Sequence, residues 1–102
     1  MIGIDVLSMR QRTYNSFLSK LSDIQLEGLR GLRKTVIEAI TEAAHSGEYT
    51  VYKLRIDDFQ LLQIIMAELE IKGFKVSANS STEYPKDGEP FFYYEIKINW
   101  GF

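Results

Sequence analysis

A chain of 102 residues with 45% hydrophobic and 25% charged side chains is one domain's worth of protein, long enough to bury a core without metal or disulfide staples. Its net charge is −2, with six basic and six acidic side chains in residues 1–51 and six basic and eight acidic in residues 52–102. That even balance argues against nucleic-acid binding, which needs a concentrated basic surface, and zero cysteines exclude disulfides, thiol catalysis and thiolate zinc sites.

The N-terminal segment 5–46 reads as helix. Leu7, Tyr14, Phe17, Leu18 and Leu21 recur at helical spacing, and Leu29, Leu32, Val36, Ile40 and Ala43 do so further on. Between them Ser22 or Asp23 can cap a new helix, so two helices with a break near 22–24 are expected. A single long helix is the alternative, because Gly28 and Gly31 weaken a helix without forbidding it. Gly47 is the expected stop.

"YTVYKLRI" (49–56) alternates as a strand does, with Tyr52, Leu54 and Ile56 on one face and Tyr49 and Val51 on the other. A helix over 59–72 follows, capped by Asp57 or Asp58 and stopped by Gly73. It is apolar on most sides, so one face is expected on a sheet and another on a helix or a partner chain. "FKVSAN" (74–79) is a second strand, and "SSTEYPKDGEP" (80–90), with its two prolines, a connecting loop.

The third strand is "FFYYEIKINW" (91–100). Phe92, Tyr94, Ile96, Ile98 and Trp100 should lie against the helices, while Phe91, Tyr93, Glu95, Lys97 and Asn99 face away. The expected fold is therefore one α+β domain over 1–102, ordered α-α-β-α-β-β, whose residues 49–100 form a β-α-β-β unit. It would hold a three-stranded mixed sheet with helices packed on one face, the third strand central and antiparallel to both neighbours. Trp100, Ile98, Ile96, Leu54, Val76, Leu62 and Leu69 are its expected core.

Nothing in the sequence assembles a catalytic or cofactor site. His45, the single histidine, falls in the last turn of a predicted helix, where a cation suits the carbonyl end. Asp57-Asp58 is the only adjacent acidic pair, and helix capping accounts for it. Neither G-x-x-x-x-G-K-[ST] nor G-x-G-x-x-G occurs, and no calcium-loop or serine-triad pattern is present. The reading is a non-enzyme without catalytic residues, metal or cofactor. Lys53, Arg55, Lys75 and Lys97 lie on predicted strands and could serve a small anionic ligand such as a signalling nucleotide. Solvated strand positions are the simpler account of them.

Surplus apolar surface points to contacts with other proteins. Tyr14, Phe17, Leu21, Tyr49, Phe91, Tyr93 and Phe102 form the candidate interaction surface, and self-association into a homo-oligomer is its simplest use. No stretch approaches membrane-spanning length, and "MIGIDVLSMRQR" lacks the apolar core of a signal peptide.

"IEAITEAAHSGEYTVYKL", "LEIKGFKV" and the terminal "YYEIKINW" together resemble a loose class of small bacteriophage-encoded proteins. In that class a helix ending A-x-x-G precedes a strand, then a helix, then G-[YF]-x-V, and a last strand closes I-x-W. The resemblance covers about residues 35–100, through Ala44, Gly47, Gly73, Phe74, Val76, Ile98 and Trp100. The proline-bearing loop, the aromatic last strand and the added Gly101-Phe102 depart from it. It implies no activity, but it implies provenance: a phage protein located in the virion or the host cytoplasm. Such a product is either a virion accessory component, or a host-directed or anti-defence protein that binds a host protein or sequesters a signalling nucleotide.

Overall fold

The first helix, α1 (Val6–Ser19), is opened by Asp5, whose carboxylate accepts the Ser8 N–H at 2.7 Å. The structure, a computed structural model, describes residues 5–101. Lys20 closes α1, and Ser22 opens α2 (Asp23–His45) with a reciprocal capping box: the Gln25 N–H donates to Ser22 Oγ, and the Ser22 N–H donates to Gln25 Oε1. Segment 5–46 is thus two helices, with Ser22 rather than Asp23 as the cap. Gly47, at φ 82°, turns the chain out of α2, and the Glu48 N–H reaches back to the Ala43 carbonyl at 2.9 Å.

Strand β1 (Thr50–Ile56) leads into α3 (Phe59–Ile71). The two candidate caps divide their work: Asp58 Oδ1 accepts the Gln60 and Leu61 N–H groups, and Asp57 pairs with Arg55 instead. Gly73, at φ 97°, ends α3, and the hairpin β2 (Lys75–Glu83) and β3 (Phe91–Asn99) follows. The second strand runs beyond its expected end at residue 79, so the connecting loop shrinks to 84–90.

The sheet order is β1-β3-β2, with the last strand central. Both hydrogen-bonded pairs are antiparallel, as expected for a central third strand; β1 and β2 run the same way but never meet, so the sheet is antiparallel throughout rather than mixed. The helices pack on the sheet, α2 over β1 and α3 over β2 and β1, while α1 packs chiefly on α3. That arrangement explains the nearly all-round apolar α3: it meets the sheet, α2 and α1.

Leu29 and Val36 of α2, five residues of α3 including Ile64, and Ile56, Ile96 and Ile98 of the sheet form the buried cluster. Of the expected core, Ile96, Ile98, Leu62 and Leu69 are buried. Leu54, Val76 and Trp100 are half-buried and packed against them. Trp100 lies at the end of the sheet, edge-on to Phe74 with ring centroids 6.1 Å apart, rather than in its middle. The α2–α3 approach is close at Gly28, where an added Cβ would meet Leu61 at 3.5 Å.

One polar junction ties the three helices. Arg33 of α2 donates through Nε to Glu68 Oε1 of α3 (2.7 Å) and through Nη2 to the Tyr14 hydroxyl of α1 (3.1 Å). Burial, and then the negative charge of Glu68, push the Tyr14 phenol above its ordinary value.

Candidate functional site

Which aromatics the sheet offers to a partner depends on strand parity, and β1 breaks its own parity. Val51 pairs with Ile98, but the next pair is Leu54 with Ile96, so Tyr52 and Lys53 together oppose Lys97. This is a β-bulge, with Lys53 at φ 57° in the left-handed region. The extra residue reverses the alternation that the sequence suggests. Val51, Leu54 and Ile56 share the helix side, and Tyr52, expected beside Leu54, is 65% exposed. Lys97 Nζ stands 5.2 Å from the centre of the Tyr52 ring, a cation–π contact on the outer face.

β3 keeps its alternation, and its aromatic run is exposed because of where the neighbouring elements end. Beyond the Ile56–Tyr94 pair β1 has ended, and β3 continues with β2 alone as a two-stranded ribbon through Ser81–Tyr93, Thr82–Phe92 and Glu83–Phe91. Phe92, expected under the helices, is 70% exposed because the helix layer stops short of it. Its neighbour on that face, Tyr94, is covered by Phe59 at the first turn of α3, with centroids 5.6 Å apart. Phe59 is itself exposed, and so is Tyr84 at the end of the ribbon.

On the outer face half-buried Tyr93 and Phe91, still 39% exposed, lie beneath Arg55. The Arg55 guanidinium lies 4.1 Å from the Tyr93 ring centre and 5.2 Å from that of Phe91. It is held there by Asp57 at 3.0 Å and by Glu83 of β2 at 3.1 Å. The hydrogen bond to Asp57, above all, raises the Arg55 pKa, so the strap remains charged. Arg55 reaches from β1 across β3 to β2, holding a ribbon that would be marginal as two strands alone.

The remaining expected surface residues do not join one patch. Tyr14, Phe17 and Leu21 are half-buried and pack against the core within the chain. Tyr49 lies at the opposite end of the sheet from Phe92; its carbonyl accepts the Trp100 N–H at 3.0 Å, and its side chain closes on Gly101. Phe102 lies outside the described residues. Nor do the four strand cations converge. Arg55 is engaged by two carboxylates, whereas Lys75 and Lys97 line a shallow depression with Ser77 and Asn99.

His45 ends α2, as its helical position implied. Among the described residues no cluster of three or more histidine and carboxylate side chains is placed to hold a metal ion. No described helix is long and apolar enough to cross a membrane. Two apolar grooves flank α3. One, of about 540 Å³, lies between α1 and α3 and is lined by Val6, Met9, Phe17, Met66 and Ala67. The other, of about 370 Å³, lies between α2 and α3 over Ile37, Ile40 and Phe74. No family model matches the chain, and neither a curated protein nor a solved structure is similar to it.

Proposed function

We propose that this chain is a small phage protein that works without catalysis, through protein–protein contacts, as a self-associating accessory component of the virion. The observation that carries the reading is the ribbon: Phe92, 70% exposed, stands beyond the helices with exposed Phe59 and Tyr84 also at the surface. Large apolar side chains left in water together are the usual mark of a contact surface. Shape supports the same reading. The chain exposes 7567 Å², against about 5,900 Å² for a compact monomer of its mass. Its radius of gyration is 15.5 Å, against about 13 Å for a globule of this length.

The virion follows from the phage resemblance together with a surface suited to joining other subunits. Nucleotide sequestration has less to support it, because Arg55, the strongest cation of the strands, already faces Asp57 and Glu83. Mass spectrometry of purified particles tests the reading directly. The chain should be found in particles at a fixed stoichiometry, and Phe92→Ser should lower its incorporation while leaving its unfolding midpoint in place. Particles free of the chain, from cells that express it, would refute the virion assignment.

A further inference from the structure

The sheet has two open edges, and they are built differently. Along β1 the Tyr52–Lys53 bulge interrupts the row of outward backbone groups, a common protection against edge pairing. Along β2 the register with β3 runs unbroken from Lys75 to Glu83, with neither a proline nor a positive φ inside it.

Ladder geometry identifies the free groups. The Trp100 N–H donates to the Tyr49 carbonyl, so the even-numbered positions of β3 aim their backbone groups at β1 and the odd-numbered ones at β2. Partners in an antiparallel pair point toward each other or away together. Lys75, Ser77, Asn79, Ser81 and Glu83 therefore bond to β3, and Val76, Ala78, Ser80 and Thr82 turn N–H and C=O to the open edge.

We propose that this edge pairs with the same edge of a second copy, antiparallel about a two-fold axis through Asn79, to make one continuous six-stranded sheet. The inference rests on the self-association reading above and assigns it a surface distinct from the exposed aromatics, the open edge of β2. The strand "KVSANSSTE" is its own complement about that axis. Lys75 falls opposite the partner's Glu83, Val76 opposite the partner's Thr82, Ser77 opposite the partner's Ser81, and Asn79 opposite its own copy. Only this centre sets the two charged ends against each other; a shift of the axis by one residue leaves both unmatched. Every pair is of opposite charge or small, so the facing side chains of the two strands are compatible. Lys75 makes no ion pair among the described residues, so its ammonium is available for one. The four outward residues of each copy would exchange about eight backbone hydrogen bonds.

Light scattering over a dilution series tests this on the purified chain and three variants. The wild type should reach the mass of two chains. Ser80→Pro removes an N–H that β3 does not use and should give a folded monomer. Lys75→Glu places like charges together at two symmetric points and should weaken association about tenfold. Lys75→Glu combined with Glu83→Lys restores opposite signs and should recover most of that loss, although Arg55 then keeps only Asp57. Should Ser80→Pro not fold, the exposed charge variants decide alone. A wild type monomeric throughout overturns the edge pairing together with self-association. A dimer that survives Ser80→Pro and Lys75→Glu unchanged overturns the edge and leaves self-association standing.

Discussion

Lys53 offers a test in which the sign alone decides. It is exposed, belongs to a strand and sits at φ 57°, a region that costs an L-residue about 1–2 kcal/mol. Glycine escapes that cost but gives back about 0.5–1 kcal/mol through its greater freedom when unfolded. Lys53→Gly should therefore stabilise the domain by about 0.5–1 kcal/mol. Lys53→Ala keeps the strain and removes only an exposed charge, so it should change stability by less than about 0.5 kcal/mol. Lys53→Val puts a β-branched side chain where it fits worst and should cost about 1–2 kcal/mol. At a regular exposed strand position the ranking is the opposite, with valine favoured over glycine by about 1 kcal/mol. Urea unfolding of the series measures the order directly. At a slope of about 1–2 kcal/mol per molar, the glycine and valine midpoints should differ by about 1–2 M. Equal slopes would show that the unfolded ensemble has not changed. A valine variant as stable as the glycine one would refute the bulge. It would also return Tyr52 to the helix side.

Other consequences concern the core, the helix junction and the strap. Ile98 is fully buried between Val51 and Val76, so Ile98→Ala removes three carbons and leaves a cavity, costing about 3–5 kcal/mol in chemical unfolding. The Tyr14 phenol is raised in the folded chain by burial and by Glu68, so its contribution is complete below its unfolded value near 10. That contribution falls as pH rises above about 10 and through the folded value, and Tyr14→Phe should flatten this alkaline part of the stability profile. Arg55→Ala should uncover Phe91 and Tyr93 and loosen the ribbon, read as increased binding of an apolar dye and faster amide exchange in residues 81–83 and 91–93.

The features legible in the sequence are those that one residue or one period can carry. Ser22 with Gln25, Asp58, Gly47 and Gly73 each start or stop a helix by a local mechanism, so the element order and most boundaries follow from them. The central place of β3 follows from its apolar alternation, the longest in the chain. The bulge left no such mark. Left-handed bulge positions usually advertise themselves with glycine, and here a lysine holds one, inside a run that alternates on paper without interruption. Arg55 and Glu83 are far apart in the chain, and only the register of three strands brings them over Phe91 and Tyr93.

Relative element length decides the exposure of the aromatic run. Chain and helix turn at Asp57-Asp58, level with Tyr94, so β1 and the start of α3 end their cover at the same height. The β2–β3 hairpin owes nothing to that turn and continues to Glu83 and Phe91. Alternation can tell which face an aromatic occupies, but it carries no information on whether another element extends far enough to cover that face. The ribbon's helix side is therefore exposed for a reason of length, not of composition. A partner that reaches Phe92 must fill the space which a longer α3 would have occupied, beside Phe59.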